Sequence, residues 1–294
     1  MNLVGKLSTS GIAKRPALVG TGLDWRWFAR ALLPAWFAAI SALVVWRFGG
    51  QSLGLDATNY LGATRAWLAG GDPWAGTFGG LAFAAPPPSL LAALPFALLP
   101  DPLGWWAMML AGPILAIAGI RLLRLPWWWL AFPPLVVSAY LGNPAAWIPA
   151  LMFVPPLAVL AKAYAVVPLV LLGRWRALAA TAVVLVVTFP ILPWVTFAAD
   201  WPLVSANLVS QSGGGFGGPL LLSVIVLAVL HLRDRERGAW LAVPMVWPSS
   251  QWGYATIAMP AGIVCAILAV PVAGAPLVAG LAVLAATIAS GRTT

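Results

Sequence analysis

The chain has 294 residues, 62% of them hydrophobic and 8% charged, with a mean hydropathy of +0.95. This composition excludes an ordinary water-soluble domain and predicts an all-α polytopic integral membrane protein, a single domain over 1–294 with roughly eight to eleven membrane-crossing helices of about 20 residues. The net charge of +9 arises from basic residues at helix ends, so no nucleic-acid partner is expected, and the single cysteine, Cys265, excludes an internal disulfide.

Residues 1–27 carry Lys6, Lys14, Arg15 and Arg26 and are expected to stay cytoplasmic. The following apolar run lacks a small-residue cleavage site, which predicts a retained first helix near 28–48. A polar island follows at 49–85, then "PPPSLLAALPFALLP" at 86–100, which is short for a full crossing. Further helices are expected near 103–123, 126–142, 145–172 with a break at Pro155 and Pro156, 176–197, 219–232, 239–250, 253–270 and 274–290. Continuous apolar runs such as "ALAATAVVLVVTFPILPWV" argue against a β-barrel, and no strands are expected. Positive charges place Arg174, Arg176 and "RDRER" at 233–237 inside, hence the island and the loop at 198–218 outside. Arg121 and Arg124 fit that scheme only if 86–100 does not cross fully. The 27 prolines mark broken helices, and no fixed-period repeat is present.

The island contains "GLDATNYLGATRAWLAGGDPWAG" at 54–76, with two of the chain's seven acidic residues. "DATNYLGATRAWLAGG" reads as an amphipathic helix on the membrane surface, beginning at Asp56 and stopped by Gly70 or Gly71. Residues four apart share a face, so Asp56, Tyr60 and Thr64 align, with Trp67 one turn further. Asp56 is either a helix N-cap or a working carboxylate; Asp72, before Pro73, is a turn residue or a site residue. Arg65 suits either a lipid phosphate or a substrate phosphate. Lys162 lies within an apolar stretch, where a cation is costly and calls for a partner unless it snorkels to an interface. In "WPSSQWGYATIAMP", Ser249, Ser250, Gln251 and Tyr254 sit at a helix break, where they contact a sugar or satisfy backbone freed by Pro248. The 18 tryptophans read mainly as an interfacial belt, with sugar stacking on Trp67 or Trp74 as the alternative, and His231 as an interfacial residue. There is no His or Cys cluster for a transition metal, no P-loop and no nucleophile elbow.

In order, "LDATNYLGATRAWLAGGDPW" from Leu55, "FAAPPPSLLAALPFALLP" from Phe83, "LGN" at 141–143, "AKAYAVVPLVLLGRWRAL" from Ala161 and "WPSSQWGYATIAMP" from Trp247 resemble glycosyltransferase family 87. The resemblance covers roughly residues 28 to 270. That family comprises polyprenol-phosphate-mannose-dependent mannosyltransferases with the all-helical GT-C membrane fold. Many members carry a histidine immediately before the tyrosine, where this chain has Gly253.

The resemblance implies transfer of a sugar, mannose in that family, from a polyprenyl-phosphate donor to a lipid or glycan acceptor. The reaction would occur on the outer face of a bacterial cytoplasmic membrane, with no cofactor beyond the donor substrate. The family's essential acidic residue lies in the first outer loop, and Asp56 matches it. Such chemistry needs a base for the acceptor proton and donors or cations to steady the departing phosphate. Tyr60, Arg65, Asp72, Trp74, Asn143, Lys162, Gln251 and Tyr254 are the accompanying substrate-binding candidates. The alternative is a non-catalytic protein of the same build that binds or moves a polyprenyl lipid or glycolipid. A solute transporter ranks third because no two matching halves are visible.

Overall fold

The computed structural model describes residues 25–211 and 216–290; the expected cytoplasmic segment lies outside them as far as residue 24. The all-α expectation holds, with one exception: a two-residue antiparallel hairpin, β1 (Thr77–Phe78) and β2 (Leu81–Ala82). Its turn is Gly79-Gly80, both at positive φ (62° and 84°), the backbone that a tight hairpin needs and that glycine supplies without steric cost. Apolar-run statistics miss so short a strand pair.

The first helix, α1 (Trp25–Phe48), has 24 residues and so spans about 36 Å. Only a narrow stripe of it is buried: Leu33, Phe37 and Ser41, spaced four apart. Phe37 packs on the rings of Trp128, Trp129 and Phe132, and Ser41 Oγ donates to the Ala131 carbonyl at 2.8 Å. After α2 (Leu55–Leu68) and the hairpin comes α3 (Pro88–Ala97), whose 10 residues reach only about 15 Å, half of a bilayer's hydrocarbon core. Helix α4 (Leu103–Leu122) buries Gly104, Met108, Gly112, Ala116 and Gly119. Those small side chains let α5 (Pro133–Leu141) and α6 (Ile148–Leu151) approach closely: a side chain at 112 would touch Ala139, and one at 119 would meet Pro149. Among the described residues, two helical segments, 31–48 and 103–122, are long and apolar enough to cross a membrane.

The other expected long helices are shorter and broken at proline. The 126–142 segment is a 3-10 turn at Trp127–Ala131 and then α5, which starts on Pro133 and Pro134. The 145–172 segment breaks more often than expected, into the 3-10 turn Pro144–Trp147, α6, α7 (Pro155–Ala161), the 3-10 turn Ala163–Ala165 and α8 (Val166–Leu171). Lys162 occupies one of these breaks in extended conformation (φ −149°, ψ 111°). The 176–197 segment is α9 (Trp175–Thr188) and α10 (Trp194–Ala199), parted around Pro190 and Pro193. The expected outer loop at 198–218 instead carries α11 (Trp201–Gln211). Next come α12 (Leu220–Arg233) and α13 (Arg235–Val246); α13 starts earlier than expected because Asp234 caps it, accepting from Arg237 N at 3.1 Å. A 3-10 helix at Trp252–Val264, α14 (Cys265–Leu268) and α15 (Ala275–Ala289) complete the fold.

Polar connections gather in two places. The island meets the later loop: the Trp74 ring lies 5.1 Å from Phe197, and Gln211 Nε2 donates to the Ala82 carbonyl at 2.9 Å. The basic ends also meet, with Arg235 Nε donating to the Leu171 carbonyl at 2.9 Å and Arg174 stacked on Trp240. Between them the outward side chains are apolar and exposed, among them Val186, Val187, Leu221 and Leu232.

Candidate active site around Asp56 and Lys162

The chain enters α2 through Gly54, which is in the left-handed region (φ 69°) and donates its N–H to the Tyr140 carbonyl at 3.0 Å. Gly54, not Asp56, is the N-cap, which corrects the sequence expectation; Asp56 is in the first helical turn with its carboxylate free to point elsewhere. Nor does α2 lie on a surface as an amphipathic helix, since Asn59, Tyr60, Leu61, Ala63 and Thr64 are buried. Its end follows expectation: Gly70 takes positive φ (78°), and the N–H groups of Gly70 and Gly71 close back on Trp67 and Ala66.

Asp56 Oδ2 accepts a 2.7 Å hydrogen bond from Asn143 Nδ2. Asn143 is fixed in turn, because its Oδ1 accepts from Ala145 N at 2.8 Å as the cap of the Pro144–Trp147 turn. Burial pushes the Asp56 carboxyl above the usual carboxylate range, opposed by the positive charge of Lys162 and by the Asn143 hydrogen bond. One turn along α2, Tyr60 Oη accepts a 2.9 Å hydrogen bond from the buried Lys162 Nζ. The ammonium also lies over two rings, 5.2 Å from the centre of Tyr60 and 5.5 Å from that of Tyr254. Burial, and then the charge of Asp56, raise the Tyr60 phenol, which therefore stays neutral. Tyr164 stacks on Tyr254 with ring centres 4.3 Å apart.

Segments far apart in sequence thus place Asp56, Tyr60, Asn143, Lys162 and Tyr254 in one cluster, with Tyr60, Lys162 and Tyr254 buried and the Asp56–Asn143 pair part-buried. Two polar residues beside it were not singled out in the sequence. Asn59, one turn from Asp56, leaves its Oδ1 buried without a hydrogen-bond partner, and the buried Tyr164 hydroxyl lies beside the Thr256 side chain. Helical spacing from Asp56 in "DATNY" and the neighbourhood of Lys162 in "AKAY" were the available signals. Buried polar groups without partners carry a desolvation cost of about 1–3 kcal/mol each, which a bound polar ligand would relieve.

The other candidates stand elsewhere. Arg65 is nine residues from Asp56, about half a turn out of phase at 100° per residue, and so occupies the opposite face of α2. There it pairs with Asp101 at 2.6 Å and donates to the carbonyls of Ala97 and Leu99, holding the end of α3. Asp72 makes the expected turn, its Oδ1 accepting from Trp74 N at 2.8 Å. It also lies beside Asp200, whose carboxyl is raised above its ordinary range by hydrogen bonding with Asp72, then by desolvation and by the neighbouring negative charge. Trp74 is neither a belt residue nor an open stacking platform. It is 1% exposed, packed against Phe83 and Phe197, and donates Nε1 to the Ala85 carbonyl at 3.0 Å. Trp129, Trp147 and Trp240 are buried as well, so the tryptophans are only partly a belt.

Gln251 Nε2 donates to the Gln211 carbonyl at 3.3 Å and ties α11 to the late helix break. Ser250 is structural: Pro248 cannot bond the Pro244 carbonyl, and Ser250 Oγ does so at 3.1 Å. Gly253 lies against Ser138 Oγ. His231, at the end of α12, is packed against Gly238 of α13. Among the described residues no three His, Cys, Asp or Glu side chains come together.

Two larger cavities are lined by other residues. One of about 350 Å³ flanks α2 on the Arg65 side; the other, of about 560 Å³, is an apolar groove between Trp36 and the segment from Ala266 to Val278. No family model, curated protein or solved structure matches the chain.

Proposed function

We propose that the protein is a multi-pass membrane glycosyltransferase that uses a polyprenyl-phosphate sugar, mannose by the family resemblance, on the outer face of a bacterial cytoplasmic membrane. The observation that carries this reading is the carboxylate of Asp56, part-buried, raised above the usual carboxylate range, held by Asn143 and set in the field of the Lys162 ammonium. In this scheme Asp56 takes the proton of the acceptor hydroxyl as its oxygen bonds to the sugar C1. The C1–O bond to phosphate breaks, and its electron pair leaves with the polyprenyl phosphate. Lys162 commits one of its three N–H donors to Tyr60, leaving others for a phosphate oxygen.

The exposed apolar belt supports a lipid-embedded chain, since a soluble protein rarely leaves so large an apolar surface open. A non-crossing α3 supports the charge-based topology, because it puts Arg121 and Arg124 on the same side as Arg174 and the 233–237 cluster. The meeting of the island with the later loop, and of the basic ends with each other, supports the same arrangement.

Transfer of label from radiolabelled polyprenyl-phosphate-mannose into lipid, in membranes holding wild type or Asp56→Asn at matched levels, tests the reading. Loss of labelling with asparagine is expected; equal labelling by both removes Asp56 from the chemistry. A second reading, a lipid binder without catalysis, draws on the apolar groove between Trp36, Ile267, Val270 and Leu277, which suits a hydrocarbon chain. It takes precedence if neither protein labels lipid above empty membranes.

A further inference from the structure

The cavity of about 350 Å³ on the far flank of α2 is built from parts that the Asp56 cluster does not use. Its walls include two aromatic rings, Trp105 and Phe78, seated close against glycines of α2. A side chain at Gly54 would collide with the Trp105 indole, and one at Gly62 with the Phe78 ring, so both rings reach the α2 backbone only because those positions are bare. Between them lies the Thr58 hydroxyl, which donates to the Gly54 carbonyl at 3.1 Å and accepts from Trp105 Nε1 at 3.2 Å. The mouth carries the Arg65–Asp101 pair, with side chains 32% and 68% exposed. Three of the five N–H donors of Arg65 are committed, to Ala97, Leu99 and Asp101, which leaves donors on Arg65 and acceptor capacity on the exposed Asp101 carboxylate.

A ligand for this cleft must offer an apolar face to the rings and must donate and accept hydrogen bonds at its edge. Because Arg65 is neutralised by Asp101, the cleft has no excess positive charge to attract phosphate. A pyranose ring meets each requirement: C–H groups on one face, hydroxyls that both donate and accept at the rim, and no charge. We propose that this cleft is a carbohydrate subsite that holds one neutral pyranose unit, supplied by a free glycan or by a glycolipid headgroup. It is separated from Asp56 by the thickness of one helix, about 10 Å, and stands whether or not Asp56 catalyses transfer.

Saturation-transfer NMR on the full chain in nanodiscs tests this, with lipids and detergents that lack sugar so that nothing competes. The probes are methyl α-mannopyranoside and methyl β-glucopyranoside, with inorganic phosphate followed separately by its phosphorus line width. Transfer to the ring protons of at least one glycoside is expected. Asp101→Asn and Trp105→Leu should each weaken it at least tenfold, whereas Trp46→Leu, at an exposed position on α1, should leave it unchanged. Asp101 is exposed, and a melting midpoint close to wild type identifies its variant as folded, so it decides the matter even if Trp105→Leu does not fold. Displacement of the glycoside by a monoglycosyl diacylglycerol assigns the subsite to a glycolipid headgroup; its persistence assigns it to a free glycan. No transfer to any pyranoside, equal transfer in Asp101→Asn and wild type, or binding of phosphate in place of sugar overturns the proposal. No donor is present in this measurement, so its failure is distinct from loss of transferase activity.

Discussion

Replacing Asn143 by aspartate changes one donor into an acceptor at nearly constant shape. The new Oδ1 still accepts from Ala145 N, so the cap of the Pro144–Trp147 turn survives. What is lost is the 2.7 Å hydrogen bond to Asp56, worth about 1.5–3 kcal/mol for a charged acceptor. What is gained is a second carboxylate beside a part-buried first one. Two such charges roughly 4 Å apart at an effective dielectric of about 20 repel by about 4 kcal/mol. The pair can escape by binding one proton, which at pH 8 costs about 5 kcal/mol for a group of ordinary pKa near 4, so repulsion and protonation are close competitors. The expected destabilisation is therefore about 4–6 kcal/mol at pH 8, falling to about 1 kcal/mol near pH 4.5, where the two carboxyls share a proton. The sign follows from linkage: a group whose folded pKa is raised binds more protons in the folded state, so its stability is greatest at low pH and is lost as pH rises through the folded pKa. Apparent melting midpoints of purified protein at a single scan rate measure this, with a drop of about 10–20 °C relative to wild type expected at pH 8. Asn143→Ser, which retains a capping oxygen and adds no charge, should lose less and follow the wild-type pH profile. An unchanged midpoint for Asn143→Asp at pH 8, or the same penalty at both pH values, would refute a buried, ionisable Asp56 next to residue 143.

Gly54→Ala should cost about 2–5 kcal/mol, from left-handed backbone together with a collision with the Trp105 ring, read as a lower melting midpoint. Trp74→Ala should cost about 3–5 kcal/mol, because the indole is fully packed; a stacking platform for sugar would instead lose activity at unchanged stability. Asp200 has a folded pKa raised by its neighbour Asp72, so its contribution is full below the ordinary carboxylate pKa and fades as pH rises through the raised value. Asp200→Asn should accordingly have a melting midpoint at or above wild type at pH 7 and no such advantage at pH 4.

Composition and hydrophobic run length carry the helical class, the first helix, the short helix at 88–97 and the helix over 103–122, because each depends on which side chains are apolar and where proline stops a turn. The polar island, a cation in an apolar stretch and a helix break mark Asp56, Lys162 and Tyr254 in the sequence, yet no spacing could show that they meet Asn143 and Tyr60, since Asp56 and Asn143 are 87 positions apart and Tyr60 and Lys162 are 102. Helical phase alone was enough to part Arg65 from Asp56, a reading available in the sequence once α2 is taken as a continuous helix. Burial was not available there: Trp74 and Trp147 have the same residue type as the exposed Trp46, and only packing against distant helices sorts core from surface. The sequence by itself therefore determined what each segment is, through local backbone preference and apolar length. Tertiary structure alone decided which polar groups are withdrawn from water and which partners they find, because desolvation and hydrogen bonding across the bundle depend on distances that no local preference sets.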